Sequence, residues 1–191
     1  MRAFLPFLFC VAFLTSCGET EEPLRFDTAP GSRVAVEPVS IPLSTVSVRE
    51  VTLPAYATEE GIAVSDTAGA ITTTPDSLWA DEATRAVTLR LTNTLAEITG
   101  RRVASDPWPF RDDPEAVVDV RFERFVAIDA GRFEATGRYY VALESEDRKN
   151  HAHAFRIVQP YEPARGFPAI ADARARVIGL LAEDIARRGL R

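Results

Sequence analysis

Cysteine is nearly missing from this 191-residue sequence: there are two, Cys10 and Cys17, both at the extreme start. Histidine is equally scarce, with only His151 and His153, and lysine occurs once, at Lys149. A Ser or Cys hydrolase needs a nucleophile beside a base, and no G-x-S-x-G occurs, so that chemistry is disfavoured. No glycine-rich phosphate loop is present either. Gly100-Arg101-Arg102 reads as a helix stop, which argues against an ATPase. Formal net charge is −6, so a nucleic-acid binder, which must neutralise phosphates with clustered Lys and Arg, is disfavoured. No apolar run reaches the roughly twenty residues that a membrane-spanning helix requires.

What is present begins with a segment that stands apart from the rest. Arg2 precedes the uncharged run AFLPFLFCVAFL at residues 3–14, and Leu14-Thr15-Ser16-Cys17 follows. A positive start, a short apolar middle and small residues at the exit describe a secretory signal peptide. The exit resembles the bacterial lipoprotein signal: a Leu, two small residues and a Cys. That resemblance implies removal of residues 1–16 and acylation of Cys17. Cys10 would then leave with the peptide, so no pair remains for a disulfide, and core packing must hold the fold. Two or three acyl chains, at about 0.8 kcal/mol per buried methylene, anchor a domain that itself folds in water. Gly18, where an Asp commonly signals inner-membrane retention in such lipoproteins, implies an outer-membrane address.

Residues 17–32 read as the lipidated Cys and a flexible tether, being rich in acids, Pro, Gly and Ser, and residues 33–191 as a single domain. Within it, RVAVEPVS and TVSVREVTL predict two strands, and GIAVSD and AITTT a hairpin around residues 66–69. The period then changes. Over residues 81–99, Ala83, Val87, Leu91, Leu95 and Ile98 recur at helical spacing, with Asp81 as the expected cap and Gly100 as the stop. Val118, Val120, Phe122, Val126 and Ile128 are expected on one face of a strand. Phe133, Ala135, Gly137, Tyr139, Val141 and Leu143 alternate with polar residues in the next, and HAHAFRIV forms a third. A final helix over residues 168–188 carries Ile170, Val177, Leu181 and Ile185 as its stripe. The fold class is therefore α/β: a two-layer sandwich, with a mixed, mostly antiparallel sheet packed by two long helices.

Three kinds of candidate site stand out. His151 and His153, at i, i+2 on a strand, share one face, but a zinc site would need a third ligand such as Glu144 or Asp147 and no metal spacing supports one. The carboxylate pairs Asp112/Asp113 and Asp119/Glu123 read as solvated surface. Pro54, Tyr56, Trp79 and Trp108 lie beside prolines or at element junctions, where large rings either cap a core or present a docking surface. Trp108, between Pro107 and Pro109, is expected in a stiff extended loop.

The order LPAY, LWAD opening RAVTLRLTNTLAEITG, VASDPWPF and then VDVRFERF is similar to the ABC-type transport auxiliary lipoproteins, the family of paraquat-inducible protein C. The similarity runs from about Val46 to the last helix. It implies a lipid-anchored periplasmic accessory subunit, without catalysis or cofactor. Its implied partners are an MCE-domain protein and an ABC transporter permease and ATPase moving lipid or other hydrophobic cargo, with a homo-oligomer left open. The chain departs from the family in carrying a strand-like segment over residues 33–42 and Ala-Thr-Glu-Glu after LPAY. The alternative is an independent periplasmic lipid carrier, which predicts a hollow between sheet and helices where a docking protein predicts a filled core.

Overall fold

The computed structural model of the chain describes residues 22–27, 37–144 and 149–191. The signal segment, Cys17 and Asp147 lie outside the described residues. Among those described, the strands are β1 (Leu24–Phe26), β2 (Thr45–Val48), β3 (Gly61–Ser65), β4 (Ile71–Trp79), β5 (Arg102–Ser105), β6 (Ala116–Ile128), β7 (Arg132–Leu143) and β8 (His151–Pro160). The helices are α1 (Ala55–Thr58), α2 (Ala83–Thr99) and α3 (Phe167–Asp184), the last running into a π turn over Ile185–Gly189.

β6, with 13 residues, is the spine. Along one edge β7 pairs antiparallel with it, and β8 pairs antiparallel with β7. The other edge is shared. β2 lies parallel to its first residues, with Val48 opposite Val118, and β5 lies outside β2. β3 lies parallel to its last residues, with Ser65 opposite Ile128, and β4 and then β1 follow outside. The sheet is thus mixed, and its two parallel groups sit at opposite ends of one long strand.

The alternation in β7 buries Phe133, Ala135, Tyr139 and Val141 beneath α2 and α3. Both helical stripes are buried as expected, and Leu91, Leu95, Val177, Leu181 and Tyr139 fill the layer between helices and sheet, all fully buried. Each such side chain contributes about 1.5–3 kcal/mol of burial.

Several expectations need correction. Val126 and Ile128 do not share the face of Val118, Val120 and Phe122. A bulge between Phe122 and Arg124 inserts Glu123, shifts the pleat by one, and puts Phe125 and Ala127 on the helix side instead. Opposite the bulge stands Gly137, where a Cβ would collide with the Arg121 carbonyl and the Phe122 Cα. Glu82 rather than Asp81 caps α2: its carboxylate accepts from the N–H groups of Thr84 and Arg85, while Asp81 pairs with Arg85.

The expected first strand falls partly outside the described residues, and its described part, residues 37–42, is not a strand. Pro38 and Pro42 lack the N–H a ladder needs, and Val39 donates to the Ile98 carbonyl at the end of α2. Its Val39 and Ile41, and Leu43 just after it, are buried all the same. β2 stops at Val48 because the Val51 N–H is drawn to the Thr88 hydroxyl on α2. Beyond β2 the backbone still meets β6 through the Arg49 N–H, which donates to the Val118 carbonyl at 2.8 Å, and through Thr52, opposite Arg121. Within the stretch read as a tether, Leu24–Phe26 are a strand, held on the edge of β4.

Candidate docking site

The aromatic candidates divide between the two ends of β6. At the β2–β5 end, the Ser47 hydroxyl donates to the Asp106 carboxylate at 2.8 Å and the Asp106 N–H to the Val48 carbonyl at 3.0 Å, fastening the start of the loop. The Asp106–Pro107 peptide bond is cis. Trp108 follows, half-buried, with its indole N–H donating to the Asp112 carbonyl at 2.6 Å. Phe110 meets the Trp108 ring edge-on at 4.9 Å, and Arg102 lies 4.7 Å over Phe110 while pairing with Asp112 at 2.6 Å. Phe110 is nonetheless 40% exposed. Beside this loop an open groove of about 440 Å³ runs between Arg85, Thr88 and Leu89 of α2 and the Ser105-Asp106-Pro107 backbone. Leu89 adds an exposed apolar side chain to it. The loop is therefore stiffened by its own contacts, not by the core.

The β3–β4 end is built differently. Pro54 precedes α1, and Tyr56 within it packs against the core with its hydroxyl accepting the Phe125 N–H at 3.1 Å. Trp79 is not in the first turn of α2 but ends β4, and at 8% exposure it is a core residue. Above its ring, at 4.1 Å, lies the guanidinium of Arg174 from α3, which also sits 5.8 Å from the Phe125 ring. Arg174 is 4% exposed; its Nη2 donates to the Ala83 carbonyl at 3.4 Å and its Nε has no partner. Burial pushes its pKa down to about 10, against the pull of Asp27, Asp81 and Glu82. The adjoining cavity, lined by Ala57, Ala63, Phe125 and Phe133 among others, holds about 10 Å³, room for one water.

Tyr56 and Trp79 are thus brought together around Phe125, while Trp108 is not with them. The Trp108 loop is tied at Val48, level with Val118, seven residues up β6 from Phe125, about 23 Å at strand spacing. The single aromatic edge expected over Tyr56, Trp79 and Trp108 is corrected to two separate clusters, only one of them presented outward. Arg174 is the residue that sequence reasoning passed over. Its signal was available: it falls four residues after Ile170 and three before Val177, on the apolar stripe of α3, where a solvated arginine has no place.

The histidines do share a face, and their rings stack 5.9 Å apart. His153 also lies 5.3 Å from the Tyr139 ring, and its Nδ1 faces Arg188 Nη2 at 3.3 Å; since a guanidinium only donates, Nδ1 is the acceptor. Arg188 pairs with Asp184, which accepts the Tyr139 hydroxyl at 2.9 Å. Burial, with Asp184 beside it, pushes the Tyr139 phenol far above its usual range, so it stays a donor. This chain ties the π turn to the sheet. Among the described residues no three His, Cys, Asp or Glu side chains group as metal ligands. Asp119 pairs with Arg121 at 2.8 Å and with Arg49, as a solvated face would.

Two helices on one face of a single mixed sheet, with a stiff aromatic loop at one end, define a two-layer α/β module. A family model described as the ABC-type transport auxiliary lipoprotein component matches residues 25–186, and the chain belongs to that family. Its fold is similar to that in a crystal structure of an uncharacterized protein, with TM-score 0.66 and 18% identity over 79% of this chain and 98% of that one. It is also similar to protein XCC0632 from Xanthomonas campestris, of family DUF330, with TM-score 0.59 and 17% identity over 86% of this chain and 90% of that one. A dodecameric PelC from Paraburkholderia phytofirmans lies further off, at TM-score 0.44 and 14% identity over 80% of this chain and 93% of that one. No curated protein matches the chain. Among the described residues no helix is long and apolar enough to cross a membrane.

Proposed function

We propose that this protein is a periplasmic accessory subunit, anchored to the outer membrane by acylation of Cys17, that docks an MCE-domain partner of an ABC-type envelope transporter through the Trp108 loop. The observation that carries the reading is the build of that loop: two aromatic rings held by Arg102 and Asp112 beside an open groove, outside the core. Aromatic anchors of this kind carry most of the energy in protein interfaces. The layer filled by Leu91, Leu95, Val177 and Leu181, and a cavity beside Arg174 with room for one water, favour docking over carriage of a lipid in the domain itself. Pro54, Tyr56 and Trp79 serve the fold at the other end, and the chain works by contact and not by catalysis.

The test is recovery of the MCE-domain partner on immobilised protein. Trp108→Ala should weaken that recovery by about 2 kcal/mol or more, with little change in thermal unfolding. Undiminished recovery, or a variant that unfolds far earlier, removes the docking surface. Cys17→Ser should leave the protein out of the membrane fraction; retention there would dismiss the anchor.

A further inference from the structure

We propose that the domain stands on the lipid surface through the β3–β4 hairpin, with residues 66–69 against the headgroups and the Trp108 loop turned away from the membrane. The inference rests on the reading that Cys17 carries the lipid, and adds to it which face of the domain the anchor brings down.

The argument starts from β1. It is only three residues long but firmly placed: Leu24, Arg25 and Phe26 lie opposite Ser77, Leu78 and Trp79, and the Ala80 N–H donates to the Phe26 carbonyl at 2.9 Å. Arg25 donates to the Trp79 carbonyl and pairs with Glu60, and the Phe26 ring lies 5.6 Å from Phe167 at the start of α3. Cys17 precedes Leu24 by seven residues, so the acylated end reaches at most about 24 Å from the sheet edge. A linker this short keeps the membrane surface close to the β1 edge of the sheet.

Direction follows from pairing. β1 is parallel to β4, so the chain upstream of Leu24 leaves toward the start of β4, which is the hairpin turn. β3 runs from Gly61, opposite Leu78, to Ser65 before the turn, four steps or about 13 Å in that same direction. A fully straight tether therefore puts Cys17 about 10 Å beyond Ser65, little further than the turn itself projects, and a bent tether draws the turn to the surface. The turn has the chemistry for such a contact. Asp66, Thr67, Ala68 and Gly69 are all exposed, and the Asp66 carboxylate is engaged by the Ala70 N–H at 2.8 Å. With no basic residue and no large apolar one, it suits the surface of zwitterionic headgroups rather than insertion or capture of anionic lipid. At the other end of β6, Val48 pairs ten residues away from Ile128, about 33 Å off, so the Trp108 loop faces the water where a partner can reach it.

The experiment uses the full acylated chain in vesicles of phosphatidylethanolamine and phosphatidylcholine, both zwitterionic. Cys10 lies in the segment removed and Cys17 is blocked, so Ala68→Cys and Asp113→Cys each supply one free thiol for a fluorophore. Spin-labelled headgroup lipid should quench most of the emission at position 68 and almost none at 113. Inserting a long Gly-Ser segment between Cys17 and Leu24 should reduce quenching at 68 to the level at 113. Equal quenching at both sites overturns the orientation while leaving the anchor intact, and quenching at 68 that survives the insertion overturns the short tether as its cause. A mature chain whose mass lacks the acyl groups would overturn the anchor reading, and the orientation with it.

Discussion

The two ends of β6 carry aromatic clusters of similar composition, an arginine over a ring beside a tryptophan, yet they are put together on opposite terms. At the β3–β4 end, Trp79 and Arg174 are sealed beneath Phe125 and the first turn of α2, and the guanidinium has lost most of its hydration. At the β2–β5 end, Arg102, Phe110 and Trp108 make the same kinds of contact in reach of solvent, satisfied by a neighbouring carboxylate and carbonyl. The difference teaches that a ring–cation pair does not by itself mark a binding surface. What separates the two is whether the ring lies under a second layer of structure.

Removing the rings one at a time should widen that contrast most. Trp79→Ala empties a core position and deprives Arg174 of its ring, and we expect a loss of about 3–5 kcal/mol in urea unfolding. Trp108→Ala should lose only a small fraction of that. Near-equal losses would make both clusters core caps. The bulge that separates the two ends comes next. Gly137→Ala places a methyl group against the Arg121 carbonyl, and overpacking of this kind costs about 3 kcal/mol; a variant as stable as the parent would mean that β6 and β7 slide apart freely.

A smaller effect belongs to the start of α2. Burial alone would raise the Glu82 carboxyl, but the N–H groups of Arg85 and Thr84 outweigh it and hold the group below its ordinary value of 4.5. A carboxyl lowered in this way adds stability above its unfolded value and gives it up as pH falls through its folded one. Glu82→Ala should therefore cost about 1 kcal/mol near pH 7, with the gap to the parent closing in acid. A gap that stays constant with pH would exclude the carboxylate as the cap. The smallest change is expected from Arg174→Met. Replacing a buried charge by an apolar side chain of similar length is often neutral or stabilising, so thermal unfolding should hold or rise slightly; a large loss would show that the cation over Trp79 is itself a major contributor.

The helical stripes and the alternation of β7 were legible in the order of residues because each has one period and one buried face. Ala83 through Ile98 repeats every three or four residues, and Phe133 through Val141 every two, so the side chains declare their side without reference to anything distant. β6 was legible as a strand but not in phase. After Glu123 the run Phe125-Val126-Ala127-Ile128 is apolar on both sides, and only pairing with Gly137 decides which of those residues meet the helices. β1 was missed for a related reason: three residues in a stretch of acids and Pro carry no period, and their strand exists only because β4 offers an edge.

By itself, the sequence determined the two-layer α/β class, the span of both long helices and the likeness to an auxiliary lipoprotein. These depend on local order: hydrophobic spacing, caps and short signatures, which act over a few residues. Tertiary structure alone decided that Trp79 is interior and Trp108 is not, that Arg174 lies over the Trp79 ring, and that β2 and β3 share one edge of β6 from opposite ends. Each of these turns on partners dozens of residues apart, whose proximity is set by how the sheet and the helices close over one another and by no feature of any single segment.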